Sequence, residues 1–305
     1  MWLDVFERQI HYIASCALES GYGPADAERA QRGVLEIVRA LRDDPRALGD
    51  QLNILVIDRA RDGLLRECGI DDAFRAVKER ETARALLALP DRLAAIDAVP
   101  DEQRVEALVR GVFAGNLFDM GAEETATMFL DGAAPLFAAC LEKAPARPWG
   151  IDHHDGARLD GWEHAVLFVD NAGADVVLGM LPLARELARR GTRVTLAANE
   201  LASLNDITAK ELAPITSEMT GVRVLSSGSG DPLIDLSALD PAFCAEVEDA
   251  DLVVLEGMGR GLESNWTARL ACETWRMAIV KAEPVSRKRG VAMFDGVFRR
   301  DPAGA

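Results

Sequence analysis

Ala165-Val166-Leu167-Phe168-Val169-Asp170-Asn171-Ala172-Gly173-Ala174-Asp175 is the stretch on which the fold turns. Five apolar residues run straight into an Asp-Asn pair and a glycine, and a second amphipathic pattern begins at Asp175. A buried strand that stops at adjacent carboxylate and amide side chains, just ahead of a helix, presents two oxygen ligands at the carboxyl edge of a sheet. Open α/β proteins bind their ligands at that edge, and a hard divalent cation such as Mg²⁺ prefers such oxygens. The same residues would also serve as a polar turn in which Asp or Asn caps the helix.

Working outward, short β-rich runs alternate with helical ones after Trp162. The runs are Ala165–Val169, Arg193–Ala198, Val222–Ser226, Leu252–Glu256 and Met277–Lys281. Helices are expected at about 175–190, 207–219, 241–248 and 263–275. This alternation predicts an α/β fold: a mostly parallel sheet with crossover helices on both faces. A last run, Val291–Arg299, is expected to add an edge strand.

Upstream, apolar residues recur at three and four, as in Val34, Leu35, Val38 and Leu41, or Val105, Leu108, Val109 and Val112. That spacing predicts an N-terminal all-helical region. Pro24, Pro45, Pro90, Pro100 and Pro135 punctuate it. A stretch rich in Pro, Gly, His and Asp connects the halves, giving a helical region over 1–145 and an α/β core over 146–305.

The residues closing each strand carry the chemistry. They are Asp170-Asn171, Asn199-Glu200, Ser227-Gly228, Glu256-Gly257 and Lys281. Together they offer metal ligands, small residues that expose backbone amides, and one cation, which suits a phosphate site. A second carboxylate, Asp206, follows the second strand; it either caps a helix or points across the sheet edge towards Asp170. Two carboxylates and an amide around one Mg²⁺ leave water positions open, and such an ion bridges phosphate oxygens. Ser226–Pro232 offers a nest of backbone amides or a flexible loop. Gly257-Met258-Gly259-Arg260-Gly261 lacks the dinucleotide spacing, because position 262 is leucine. Arg260 itself suits bidentate phosphate binding.

Bulk properties narrow the partners. The 305 residues carry a net charge of −16, which opposes binding to nucleic acid or to anionic membranes. No apolar stretch approaches the roughly 20 residues of a membrane span. The N-terminus has early acids and reads as an amphipathic helix rather than a leader. Five widely spaced cysteines, mostly among apolar neighbours, suit a reduced, cytoplasmic protein.

Taken in order, several segments resemble one family. They are Asp170–Asp175, Gly179-Met180-Leu181-Pro182 with Arg185-Glu186-Leu187, Ala197–Glu200, Leu204–Thr208, Ser227-Gly228 with Asp235-Leu236-Ser237, and Glu256–Arg260. Upstream, Asp58-Arg59 with Leu64–Glu67, Ala114–Gly121 and Arg147-Pro148-Trp149 fit as well. The chain resembles the metal-dependent damage-control phosphatases, nearest the phosphatase domain fused to plant and animal pantothenate kinases. The resemblance implies one divalent metal (Mg²⁺, Mn²⁺, Co²⁺ or Ni²⁺) held by Asp170, Asn171 and Asp206. It implies hydrolysis of a small phosphomonoester, with 4′-phosphopantetheine and its oxidised forms as substrates and coenzyme A synthesis as the setting protected. Lys281 falls where the family has a lysine near substrate. Glu256 stands where other branches carry lysine, which favours the pantothenate-kinase-linked branch. With no kinase domain in the chain, a stand-alone phosphatase is expected.

On this reading Asp170, Asp206 and Lys281 are catalytic, while Asn199, Glu256, Arg260, Asn116 and Asp119 line the substrate site, with Arg59 shaping the pocket. Two alternatives stay open: a sugar-phosphate phosphatase of the same family, and a nucleotide-dependent methyltransferase using the turn at Gly257.

Overall fold

Whether a strand is buried on one face or two shows in how its alternate residues divide. In the strand His164–Phe168, Ala165 and Leu167 enter one apolar cluster while Val166 and Phe168 enter another on the opposite face. Both faces of the sheet are therefore covered, as a parallel sheet with crossover helices requires. The computed structural model describes residues 2–50, 52–117 and 133–304.

Six helices open the described chain: α1 (Trp2–Glu19), α2 (Pro24–Asp43), α3 (Ile54–Glu67), α4 (Arg75–Asp97), α5 (Asp101–Leu117) and α6 (Ala133–Lys143). The strands follow: β1 (Ile151–Asp152), β2 (His164–Phe168), β3 (Arg193–Ala198), β4 (Val222–Ser226), β5 (Leu252–Glu256), β6 (Glu273–Ile279) and β7 (Gly296–Asp301). They form one sheet in the order β1-β7-β6-β5-β2-β3-β4. Every pairing is parallel except β6 with β7.

The core is shared between the two sequence regions. Ile96 of α4 and Val109, Val112 and Phe113 of α5 pack in the same cluster as Leu167, Leu196 and Val254 of the central strands. By contrast α1, α2, α3 and the start of α4 close around Ile10, Ile13, Val34 and Phe74.

Three expectations are corrected. The last strand lies one place in from the edge, because β1, too short to show any alternation, pairs outside it. No helix spans 263–275: a π-helical segment, Met258–Ser264, is followed by irregular chain and then by β6. Pro90 does not end a helix but sits inside α4. Its ring removes the N–H that Leu86 would accept, yet Leu86 and Pro90 are both exposed, so that carbonyl faces water. Pro24, by contrast, takes the first turn of α2, where a missing N–H costs nothing.

Replacing Pro90 with alanine should restore that hydrogen bond and raise stability. The gain expected is about 1–2 kcal/mol, below the full ~3 kcal/mol helix penalty because proline also restricts the unfolded chain. Urea unfolding reads it as a higher midpoint at unchanged slope; a lower midpoint would mean that the ring makes native contacts worth more than the bond.

Candidate functional site

Strand order places the site. From β2 the chain moves to β3 and β4 on one side, then returns to place β5 and β6 on the other. The carboxyl ends of β2 and β5 therefore flank a topological switch point, where open sheets leave a crevice. Asp170 lies two residues beyond β2, and Glu256 ends β5. The Asp170 N–H donates to Glu256 Oε2 at 3.0 Å, and Asn116 Nδ2 donates to Glu256 Oε1 at 3.3 Å. Glu256 is fully buried. Burial first, then the carboxylates of Asp175 and Asp170, raise its pKa well above the usual range against the pull of Arg260 and Lys281.

Asp175 begins a π-helical turn, Asp175–Met180, that runs into the helix Leu181–Arg189. Asn171 Nδ2 donates to Asp175 Oδ2 at 2.9 Å, which leaves the Asn171 carbonyl oxygen as the ligand atom on offer. One carboxylate oxygen each from Asp170, Asp175 and Glu256 lie within 4.8 Å of one another. Nothing in the sequence alone marks Asp175 as more than a helix start; its spacing of four from Asn171, one helical turn, is the usable signal.

Asp206 reaches the same place from the loop after β3. Asn171 and Asp206 form an antiparallel bridge, and Ile207 N–H donates to the Asp170 carbonyl at 3.1 Å. Arg260 is buried between the two acids: one guanidinium nitrogen bonds Asp170, and Nη2 bonds Asp206 Oδ2 at 2.7 Å. Asn199 Nδ2 donates to the same Asp206 oxygen at 3.0 Å and to the Asp231 carbonyl at 3.1 Å. From the helical side, Lys78 Nζ donates to the Asp206 carbonyl at 3.4 Å and Arg66 Nη2 to the Ala202 carbonyl at 3.1 Å. The Ser203 hydroxyl donates to Asp62, itself paired with Arg61.

Above these groups opens a cleft of 440 Å³ between α1, α3 and the sheet edge. Asp170, Asn171, Asp206 and Lys281 face it. Lys281 Nζ donates to the Asn116 carbonyl at 2.9 Å. Asn116 lies wholly buried behind Glu256 and accepts from the Ile279 N–H at 3.0 Å. Arg59 forks onto Asp231 at 2.8 and 2.6 Å, which ties α3 to the loop bearing Pro232 and Leu233 of the cleft wall. Asp119 lies outside the described residues. Asp58 and Glu263, neither of them expected, also line the cleft.

The donor set suits a hard divalent cation: carboxylate and amide oxygens, with no sulfur or imidazole. The backbone makes room for it. Gly257 adopts φ 91°, and a Cβ there would fall 1.9 Å from Asp170 Oδ2. Gly257→Ala should therefore displace Asp170 and add left-handed strain of about 1–3 kcal/mol. Calorimetric titration with Mn²⁺ is expected to show at least tenfold weaker binding, about 1.4 kcal/mol. Wild-type affinity in the variant would separate Gly257 from the cation site.

The model of the damage-control phosphatase ARMT1-like domain matches residues 10–297. The damage-control phosphatase At2g17340 of Arabidopsis thaliana is 38% identical, over 98% of this chain and 86% of its own length. Pantothenate kinase 2 of the same plant is 34% identical over 99% of this chain, which spans 39% of that longer protein. The 4′-phosphopantetheine phosphatase of Mus musculus is 29% identical over 98% of this chain and 45% of its own length. A crystal structure of a DUF89 family protein from Pyrococcus horikoshii superposes with a TM-score of 0.72, covering 99% of this chain and 97% of that one at 16% identity. The chain belongs to the damage-control phosphatase family, and it is a phosphatase.

Proposed function

We propose that the protein is a metal-dependent phosphomonoester hydrolase acting on 4′-phosphopantetheine and its oxidatively damaged forms, in the cytoplasm. The observation that carries this reading is one cleft with two kinds of wall. Its lining combines a polar group, Asp170, Asn171, Asp206 and Lys281, taken in this reading as the floor, with apolar side chains such as Trp2, Phe6, Ile54, Leu233 and Met293, taken as the outer wall. A phosphate at the floor and a long, nearly neutral arm along the outer wall would fill both. The name of the mouse relative and its cover of nearly the whole chain support the same substrate. In this reading residues 146–305 supply the phosphatase core and 1–145 the helical region that closes the cleft.

Asp170, Asn171 and Asp206 would hold Mg²⁺, Mn²⁺, Co²⁺ or Ni²⁺, with Asp175 and Glu256 beside them. Such an ion supplies a Lewis acid for the phosphoryl oxygens and a water of lowered pKa. The protein's own part is to fix charge around the phosphoryl group. Lys281, which faces the cleft and donates to the Asn116 carbonyl, would bring its positive charge to the phosphoryl oxygens, where charge set in advance favours the transition state. Arg260 holds Asp170 and Asp206 at a constant separation, and Asn199 keeps the Asp206 carboxylate turned inward. Contacts along the remote arm would then favour reaction at phosphorus.

Chelation by EDTA should abolish phosphate release, and adding back any of the four metals should restore it. Asp206→Ala should lose activity that no metal excess recovers, with a fall in stability confined to about 1–3 kcal/mol, since Arg260 loses one partner but keeps its pairing with Asp170. Full turnover in metal-free buffer, or by the folded Asp206→Ala variant, would refute this assignment.

Substrate choice is tested by competition among 4′-phosphopantetheine, its sulfonate, fructose 1-phosphate and an aryl phosphate. The pantetheine esters should lead in kcat/KM by at least about tenfold, since they alone bury an arm of several apolar methylene and methyl groups at ~0.8 kcal/mol each. A lead for the sugar phosphate would move the protein to the other branch of its family while leaving the metal chemistry standing.

A further inference from the structure

The loop that carries Asp206 contains a leucine in a backbone conformation that leucine does not favour. Leu204 adopts φ 48°, a left-handed value that one other non-glycine residue among those described, Phe294, also takes. The Asp206 N–H donates to the Ser203 carbonyl at 3.1 Å, which closes a turn with Leu204 and Asn205 at its centre. Positive φ at the first central position and not at the second is the type II′ pattern, where glycine is the usual residue. Leucine takes that place only at a cost that other contacts must offset. Packing is the offset: the Leu204 side chain lies against the helical cluster containing Ile13, Leu65 and Phe74, with a 20 Å³ cavity left among the same residues. Beyond the turn the chain is laid against the segment proposed to hold the cation. The Asn205 carbonyl accepts from the Ala172 N–H at 2.9 Å, Asp206 bridges Asn171, and the Ile207 N–H donates to the Asp170 carbonyl at 3.1 Å. The place of Asp206 therefore follows from the turn.

We propose that Leu204 is a positioning residue for the phosphatase reaction: its side chain, seated on the helical region, holds the strained turn that places Asp206 across from Asp170 and Asn171. The proposal rests on the reading that those three residues hold a divalent cation. Leu204 also lines the cleft, yet this role needs no contact with cation or substrate. Without the side chain the backbone relaxes towards negative φ, and the turn is populated only part of the time. Cation affinity then falls in proportion to the fraction of molecules whose site is assembled. The polar grips on the loop act on either side of the turn. Arg66 and Asp62 hold Ala202 and Ser203 ahead of it, while Lys78, Arg260 and Asn199 hold Asp206 beyond it. None of them fixes the φ of Leu204 itself, so one apolar contact couples the helical region to the geometry of the cation site.

Calorimetric titration with Mn²⁺ separates strain from packing. Leu204→Met keeps the volume and has the small cavity to reach into, so it should bind within about twofold of wild type. Leu204→Ala loses the anchor but keeps the cost of positive φ, and should bind at least about tenfold more weakly, a shift that left-handed strain on one residue can drive. Leu204→Gly loses the anchor and the cost together, and should stay within about threefold of wild type. Glycine binding better than alanine is the deciding result, because a side chain that merely filled space would make glycine the poorer of the two. Melting temperatures of the metal-free variants report folding. If the alanine variant does not fold, Leu204→Val replaces it: valine keeps more apolar surface but is worse at positive φ, and should again bind more weakly than glycine. Alanine equal to wild type, or glycine no better than alanine or valine, overturns the role of Leu204 and leaves the cation site standing. No Mn²⁺ binding by the wild-type protein sinks the cation site and the positioning role together. The expected order of Mn²⁺ affinities without hydrolysis of 4′-phosphopantetheine keeps the positioning role and removes the substrate assignment.

Discussion

Four carboxyl groups, those of Asp170, Asp175, Asp206 and Glu256, crowd one end of the sheet with little water to separate them. At about 5 Å and an effective dielectric near 20, each ionised pair among Asp170, Asp175 and Glu256 repels by roughly 3 kcal/mol. The neighbouring structure can be understood as an answer to that repulsion. Arg260 bonds two of the four from a fully buried position. Asn171 donates to the third, and Asn116 and the Asp170 N–H both donate to the fourth. Glu256 meets what is left by holding its proton more tightly than a solvated glutamate does.

The N-terminal helices belong to the same answer. The loop Ala202–Asp206 carries one of the four acids and has no regular structure of its own beyond isolated bridges. Arg66, the Arg61–Asp62 pair and Lys78 grip it at Ala202, Ser203 and Asp206 respectively. Lys78 also reaches Glu211, the residue that completes the capping box with Thr208 on the helix Ala209–Thr216. The cations come from α3 and α4, so the helical region fixes a loop of the sheet as well as covering the cleft. At α5 the contact is tighter still. A Cβ on Gly115 would sit 2.8 Å from the Asp175 Cα, so only glycine lets that helix approach the acid cluster.

How far the sequence reveals this depends on which physical signal is at stake. Strands β3, β4 and β5 have the bounds expected from their β-rich runs, because each is long enough to show them. The two-residue β1 is not, and it therefore escapes. Asp170, Asn171 and Asp206 are conspicuous because polar residues at the end of an apolar run are rare and local. Asp58 is not, since an acid three residues before Arg61 on an amphipathic helix normally marks a solvated face. It is buried only because α1 and the loop after β3 close over that face, which helical periodicity cannot reveal. The helix expected at 263–275 fails for a related reason. Its apolar residues, Trp266 and Leu270 among them, pack into separate clusters instead of one stripe.

The acidic surface and the anionic substrate class are compatible once charge is counted locally rather than over the chain. A net charge of −16 sets the far field, which discourages polyanions. At the floor of the cleft a different balance holds. Arg260 is committed to Asp170 and Asp206, and Arg61 to Asp58 and Asp62. Lys281 and Arg8 also face the cleft, and the Lys281 ammonium donates to the Asn116 carbonyl. On the proposed assignment, the oxygen donors of Asp170, Asn171 and Asp206 would let an added divalent cation reverse the sign of the potential there. On that assignment, catalysis in so acidic a chain would depend on the same carboxylates that Arg260 holds in place.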